Sequence, residues 1–232
     1  MHYDISFPHL GITLDHVGKS VDLFGVSIAY YGIIIGMAIL IGFAIATSEA
    51  KRTRQNPEDY LDMGIIGVIA GIAGARIYYV IFSWDMYKDD LLDIFNLREG
   101  GLAIYGGVIA AVLSVFVLAK VKHLSPFQIF DTIAMALLNG QMLGRWGNFF
   151  NQEAFGLPIS NGELMWFPFA VYIEGYHTFN GQPCSNPYHM ATFFYESVWC
   201  LIVFIILWSC RKKFRHDGDA ILSYAALYGL ER

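Results

Sequence analysis

The stretch VSIAYYGIIIGMAILIGFAIAT, residues Val26–Thr47, decides the fold class because it contains no charged side chain. A helix needs about 20 apolar residues to cross the hydrocarbon core of a bilayer. Backbone N–H and C=O groups find no water there, so a segment that crosses must bond internally as a helix. The stretch therefore predicts a membrane span near the start of the chain.

Further apolar stretches repeat this pattern along the 232-residue chain. They are Gly64–Ser83, Gly101–Ala119, Phe127–Leu143 and Thr192–Cys210, and another begins near Ala220. Charged residues make up 15% of the chain, whereas soluble domains carry about 25%. The sequence predicts an all-α, polytopic membrane protein with five complete spans and the start of a sixth.

The charges between the spans alternate in sign. Basic residues follow the first, third and fifth spans, whereas acidic residues dominate the loops after the second and fourth. Because basic loops stay cytoplasmic, the N-terminus is expected outside, as is the long loop of residues 148–189. No basic stripe interleaved with stacking aromatics indicates nucleic-acid binding, and no spacing of Cys and His residues indicates a metal site.

Polar side chains in a predicted span are candidates for function because they are costly to place in lipid. Arg76 lies late in the second span, where it could also reach the headgroups simply by snorkelling. It follows a stripe of glycines spaced by three and four residues: Gly64, Gly67, Gly71 and Gly74. Small residues at this spacing favour close helix packing, so the stripe is interpreted as structural.

The segment GRWGNFFNQEAFG, Gly144–Gly156, is the most informative part of the chain. If it is helical, Gln141, Arg145, Asn148 and Gln152 share one face at spacings of three and four residues. An arginine beside amide side chains is well suited to hold a phosphate. The segment therefore predicts an anion site at the outer end of the fourth span.

Residues from five spans are expected at this same depth. They are Tyr31, Arg76, Tyr105, Arg145 and Glu196. The glycine pairs of Gly100–Gly107 would let backbone amides approach an anion, although a tight turn with helix packing explains them as well. The convergence predicts a site for a phospholipid headgroup.

On these residues the chain resembles the prolipoprotein diacylglyceryl transferase family. The signature is matched at Gly144, Arg145, Gly147, Asn148, Phe149, Asn151, Glu153 and Gly156. Supporting pieces occur in the family's order at Tyr31-Gly32, Gly74-x-Arg76, Gly100-Gly101, Gly106-Gly107, His189, Phe194-Tyr195-Glu196 and Tyr228-Gly229-Leu230-x-Arg232. The resemblance covers nearly the whole chain.

The resemblance implies an enzyme that moves a diacylglyceryl group from phosphatidylglycerol to the lipobox cysteine thiol of a preprolipoprotein. A thioether forms, glycerol phosphate leaves, and no cofactor or metal is expected. The implied partners are phosphatidylglycerol, preprolipoprotein lipobox segments and the lipid bilayer, with no nucleic acid. The implied location is the bacterial cytoplasmic membrane, with the active site towards the outer face.

The resemblance also implies roles for single residues. Arg145, Tyr105 and Arg232 are expected to be catalytic. Substrate binding is expected from Tyr31, Arg76, Gly106, Gly107, Asn148, Asn151, Glu153, Gly156, His189, Tyr195 and Glu196. Many members carry a histidine, proposed as the base, where this chain has Tyr105. A tyrosine with its ordinary pKa of about 10 is a poor base at neutral pH, so Tyr105 is expected to hydrogen-bond the phosphate, and the proton acceptor stays open.

Family members have seven spans, whereas this chain stops at Arg232. A single transferase domain over residues 1–232 is expected, truncated at its C-terminus as a fragment or as a shortened protein. Two other functions stay open. A small-anion transporter would also place arginines in spans, although no repeat or pair of half-helices is found. A non-catalytic phospholipid-binding paralogue would fit Tyr105 and the missing end.

Overall fold

The computed structural model describes residues 4–15, 17–23, 26–96, 100–153, 155–173, 178–179, 182–183 and 187–231. Its helices are α1 (Tyr30–Arg52), α2 (Pro57–Phe82), α3 (Ile104–Val121), α4 (Pro126–Asn151), α5 (Thr192–Cys210) and α6 (Asp219–Gly229). Of these, α1, α2, α3 and α5 are long and apolar enough to cross a membrane. The prediction of a multi-pass, mainly helical membrane protein is confirmed.

Helix α4 differs from those four helices in its polar content. It runs on past Leu143, where the predicted span ends, as far as Asn151. Among the described helices, α4 does not reach the apolarity of a candidate span, because amides and charged side chains interrupt it. The count of five complete spans and the outer position of the N-terminus therefore stay predictions.

The chain divides into two compact units. The first unit comprises Met1–Gly42, Met135–Lys213 and Leu222–Arg232, and the second comprises Phe43–Ala134 and Phe214–Ile221.

The first unit contains strands that the all-α prediction missed. They are β1 (Ile5–Phe7), β2 (Ile12–Leu14), β3 (Ser20–Leu23), β4 (Val26–Ala29), β5 (Ala170–Ile173), β6 (Thr178–Phe179), β7 (Gln182–Pro183) and β8 (Tyr188–Met190). An antiparallel sheet has the order β2-β1-β5-β8, while β3 pairs with β4 and β6 with β7. The predicted outer loop of residues 148–189 thus contains the end of α4 and part of a sheet.

The core of this sheet explains why it forms. Ile5, Val171 and Ile173 are fully buried and lie in one apolar cluster with Phe149 and Phe193 from the helices. Burying such side chains contributes about 1.5–3 kcal/mol each. The sheet therefore anchors the residues on either side of it, which include the end of α4 and the start of α5.

In the second unit, α2 and α3 pack through the glycine stripe. A methyl group on Gly74 would overlap the Cβ of Ala110 and lie 2.6 Å from the carbonyl oxygen of Gly106. A methyl group on Gly71 would lie 3.7 Å from the carbonyl oxygen of Gly107. The structural interpretation of the stripe is confirmed, because these glycines let two backbones approach closely.

Polar residues of the fourth predicted span are bonded to other helices. In the second unit, the Asp131 carboxylate accepts hydrogen bonds from the backbone N–H groups of Gly218, at 2.7 Å, and Ile221, at 2.8 Å, and so caps α6. In the first unit, Nδ2 of Asn139 donates to the carbonyl oxygen of Ala38 at 2.9 Å. These contacts account for both side chains without a ligand.

Candidate active site

The signature segment begins within α4, as predicted, but leaves the helix earlier than predicted. Gln152 has a backbone φ of +57°, a left-handed conformation that ends the helix after Asn151. Its buried side chain donates to the carbonyl oxygen of Val17 at 3.0 Å. The prediction that Gln152 shares a helical face with Arg145 and Asn148 is therefore wrong.

The central contact of the first unit is an ion pair between Arg145 on α4 and Glu196 in the second turn of α5. The two side chains keep 21% and 17% of their surface exposed. Within the residues that the structure describes, this pair is the polar contact of the Arg145 guanidinium. Because a guanidinium carries five N–H donors, most donors of Arg145 are available to an anion.

The amides of the signature form a second polar cluster at the end of α4. Nδ2 of Asn148 and Nδ2 of Asn151 both donate to Oε1 of Glu153, at 3.3 Å and 3.1 Å. The Glu153 backbone N–H also donates to the Asn148 carbonyl oxygen at 3.1 Å. Glu153 is exposed, whereas Asn148 and Asn151 are half-buried, so the carboxylate of this set, oriented by two amides, is open to solvent. Such a set can accept hydrogen bonds from hydroxyl groups.

Tyr31 packs on the backbone of the signature helix. A methyl group on Gly147 would lie 2.7 Å from the Tyr31 ring, and one on Gly144 would lie 3.9 Å from Cδ1 of Ile35. Tyr31 and Ile35 are one helical turn apart on α1. The signature glycines therefore let α1 approach α4 and place the Tyr31 ring against Gly147, two residues along the chain from Arg145.

His189 is fully buried in β8. Its Nδ1 lies 3.3 Å from the carbonyl oxygen of Pro187. Burial lowers the pKa of His189 below its ordinary value, and the carbonyl contact opposes this only in part. The neutral ring is enclosed by the sheet, which favours a structural role over the predicted contact with substrate.

Gly156 and Tyr195 hold the junction between the sheet and α5. The N–H of Gly156 donates to the Met190 carbonyl oxygen at 3.0 Å, and a methyl group there would lie 2.6 Å from Cγ2 of Thr192. The Tyr195 hydroxyl donates to the carbonyl oxygen of Phe169. Both residues bind protein atoms at this junction, which favours a structural role over the predicted contact with substrate.

Arg76, in the second unit, is buried and surrounded by backbone carbonyl groups. Nε donates to Ile94 at 2.7 Å, Nη1 to Gly100 and Gly101 at 2.9 and 3.0 Å, and Nη2 to Asp93 and Asn96 at 2.6 and 3.1 Å. These bonds use all five N–H groups of a guanidinium. The geometry favours a structural role over the predicted binding of substrate.

The glycine pair of α3 is also explained by packing. A methyl group on Gly106 would overlap the Gly74 carbonyl and Cβ of Tyr78, and one on Gly107 would lie 3.3 Å from the Gly71 carbonyl oxygen. Tyr105, beside them in the first turn of α3, is 72% exposed. Its predicted role is untested by any contact, and Arg232 lies outside the described residues.

Two hydrogen bonds close to Arg145 along the chain are not predicted by the sequence. Nε1 of Trp146 donates to Oγ of Ser197 at 3.0 Å, which ties α4 to α5 next to Arg145 and Glu196. Nε2 of Gln141 donates to the hydroxyl of Tyr224 on α6 at 2.8 Å. Nothing in the residue types predicts these partners, because their spacing along the chain is long.

Comparison with known proteins identifies the signature. A family model described as prolipoprotein diacylglyceryl transferase matches residues 19–232. A Clostridium botulinum (strain Hall) protein named phosphatidylglycerol–prolipoprotein diacylglyceryl transferase is 39% identical over 199 residues, covering 86% of this chain and 76% of the relative. A protein of the same name from Listeria welshimeri is 37% identical over 203 residues, covering 86% and 70%.

Proposed function

Because the chain belongs to the prolipoprotein diacylglyceryl transferase family, we propose that it transfers diacylglyceryl from phosphatidylglycerol to the cysteine thiol of a preprolipoprotein lipobox. The thiol loses its proton, and the thiolate attacks the diacylglycerol carbon that bears the phosphate ester. A sulfur–carbon bond forms as the carbon–oxygen bond breaks, and glycerol phosphate leaves. Family membership favours this reaction over transport of a small anion.

The observation that carries the proposal is the ion pair of Arg145 with Glu196 on a partly exposed guanidinium, which leaves further N–H donors for an anion. The leaving phosphate gains negative charge as the bond breaks, so a preorganised cation beside it lowers the barrier. A planar guanidinium can donate two parallel hydrogen bonds to phosphate oxygens. Glu196 holds the guanidinium in place on one side, and the phosphate occupies the remaining donors.

The cluster of Asn148, Asn151 and Glu153 fits the other end of the headgroup. Phosphatidylglycerol carries free glycerol hydroxyls, and the cluster presents acceptors for them. The Tyr31 ring of α1, packed on Gly147 of α4, forms an apolar wall beside the helix that carries Asn148 and Asn151. These contacts would align the lipid for attack, and such positioning lowers the barrier of a reaction.

Tyr105 and Arg232 keep separate proposed roles. The Tyr105 hydroxyl is exposed at the start of α3 and is proposed to hydrogen-bond a lipid phosphate. Arg232 is proposed to add positive charge to the leaving group. The alternation of charges between spans supports a site that faces the outer side of the bacterial cytoplasmic membrane, where secreted lipobox segments emerge.

A transfer assay tests the function directly. Membranes that contain the chain are mixed with phosphatidylglycerol labelled in its diacylglycerol part and with a lipobox peptide, and the thioether product is measured. We expect product from the unchanged chain and from Ser197→Ala, which removes the Trp146 hydrogen bond without altering charge. Arg145→Gln should yield none. Absence of product from the unchanged chain would instead favour a non-catalytic lipid-binding paralogue.

A further inference from the structure

The loop between α2 and α3 exposes large apolar side chains that the proposed reaction does not use. They are Trp84, Met86, Leu91, Leu92 and Phe95, with exposed fractions of 52%, 67%, 56%, 79% and 81%. We call these five side chains the apolar loop surface. Large apolar side chains exposed together in one loop indicate an interaction site, so we ask what covers them.

The position of the loop in the chain indicates what that occupant is. The loop starts where α2 ends at Phe82 and finishes where α3 begins at Ile104, and both helices are candidate membrane spans. Phe82 and Ile104 are themselves 72% and 76% exposed. The apolar loop surface is therefore continuous along the chain with the lipid-facing ends of two spans, at a depth where tryptophan is enriched.

Unpaired backbone polar groups would prevent the loop from contacting lipid, and its bonds to Arg76 pair several of them. Irregular backbone is tolerated at membrane depth only where its polar groups are satisfied by protein. Arg76 satisfies the carbonyl groups of Asp93, Ile94 and Asn96, and the ring of the buried Tyr87 stacks 5.1 Å from its Cζ atom. A 3₁₀ helix has poor hydrogen-bond geometry, and Leu91–Phe95 is longer than most, so the bonds from Arg76 help to hold it in place.

Charge limits the depth and argues against a second copy of the chain. Asp85, Asp89 and Asp90 are exposed on the same loop, where Lys88 pairs with Asp85 at 3.0 Å and a net negative charge remains. Carboxylates stay in water at an interface. Two copies meeting through this loop would bring these like charges together. We therefore propose that the apolar loop surface is seated in the interfacial layer of the bilayer, in contact with lipid acyl chains, and that Arg76 is the residue that positions it.

Spin labels on two neighbouring positions test this contact without measuring transfer, so the outcome is independent of the proposed function. Leu92→Cys and Asp89→Cys are labelled in a chain whose native cysteines are replaced, and the protein is reconstituted into phosphatidylcholine–phosphatidylglycerol vesicles. We expect the label at position 92 to collide with oxygen and to lose collisions with a water-soluble nickel complex. The label at position 89 should show the reverse. Equal nickel accessibility at the two positions would overturn the proposal.

A second measurement uses the chain with its cysteines intact. Brominated phosphatidylcholine quenches tryptophans that touch acyl chains, so Trp84→Phe should reduce the lipid-quenched fraction of the emission. An unchanged fraction would count against the proposal.

Dipolar broadening between spin labels at position 92, lost on dilution with unlabelled protein, would assign the surface to a second copy instead. Adding Arg76→Gln to the Leu92→Cys chain should restore nickel collisions, whereas Arg145→Gln should not.

Discussion

Two arginines, one in each unit, lie in helices of this membrane protein and differ in what their donors do. Arg76 gives all its N–H groups to carbonyl oxygens of one loop. Arg145 makes one ion pair, with Glu196, among the residues that the structure describes. The first guanidinium is closed to a ligand, and the second is open to one.

The difference shows that an intramembrane charge is not by itself evidence of a substrate site. A buried cation can be stabilised by the protein's own backbone, and it then defines the shape of a loop. Only donors left without internal partners can hold a substrate anion. The same division separates His189, enclosed in the sheet, from Glu153, whose carboxylate is exposed to solvent.

The largest expected effect comes from replacing the open arginine with lysine. Arg145→Lys keeps the charge and the partner Glu196 but loses the planar fork that holds two phosphate oxygens. We expect the transfer rate to fall by about 10²–10³-fold, the range for loss of a donor to a developing negative charge. The thermal midpoint in detergent should change little. A midpoint that fell as far as that of the Arg76 variant would remove the distinction between the two arginines.

The same substitution at the closed arginine should act on stability. Lysine has three donors where arginine has five, so Arg76→Lys leaves at least two carbonyl groups of the loop without a partner. Each such group costs about 1–3 kcal/mol. We expect a lower unfolding midpoint, measured by size-exclusion chromatography after heating, with Arg145→Lys as the matched control. An unchanged midpoint together with a raised KM for phosphatidylglycerol would show that Arg76 binds the lipid after all.

The membrane helices could be predicted from sequence because lipid permits few alternatives. The apolar run Thr192–Cys210 coincides with α5, since an uninterrupted backbone ladder is the one solution for such a run. The strands could not be predicted in the same way. β1 and β5 have three and four residues, and they form because segments far apart in sequence share one core.

The sequence predicts candidate site residues from their types, and these stay predictions, but it does not predict the contacts that those residues make. The signature around Arg145 is a pattern of residue types, so it can be read without coordinates. The partners of Arg76 are backbone carbonyls, which every residue possesses, so no residue type indicates them. A glycine at position 101 is a partial indication in the sequence that the backbone is closely approached there. In the structure Gly101 has a φ of +73°, and a methyl group on it would overlap Nη1 of Arg76.

A smaller effect is expected from the glycines that bring α2 to α3 in the unit of the closed arginine. Gly74→Ala forces two backbones apart and should lower stability by about 1–3 kcal/mol, as overpacking does. Gly67→Ala on the same stripe would place its methyl group 3.9 Å from Oγ of Ser114, an ordinary contact. It should be neutral or stabilising by up to about 1 kcal/mol. Equal effects of the two variants on the unfolding midpoint would contradict close packing at Gly74.

The smallest expected effect tests whether His189, like Arg76, has a structural role and does not contact a ligand. Burial lowers the pKa of His189 in the folded protein below its ordinary value of about 6.5. The unfolded chain therefore binds the proton more readily, and the stability from the neutral ring is present above pH 6.5 or so and is lost as the pH falls through the folded-state pKa. We expect the unfolding midpoint to drop as the pH falls below about 6.5, and to drop less in His189→Gln, which cannot be protonated. If both proteins lose stability in parallel, other groups govern the acid response. If instead KM for the lipobox peptide depends on pH through His189 while the unfolding midpoint stays constant, the ring contacts substrate. His189 would then belong with Arg145 among the substrate-binding residues.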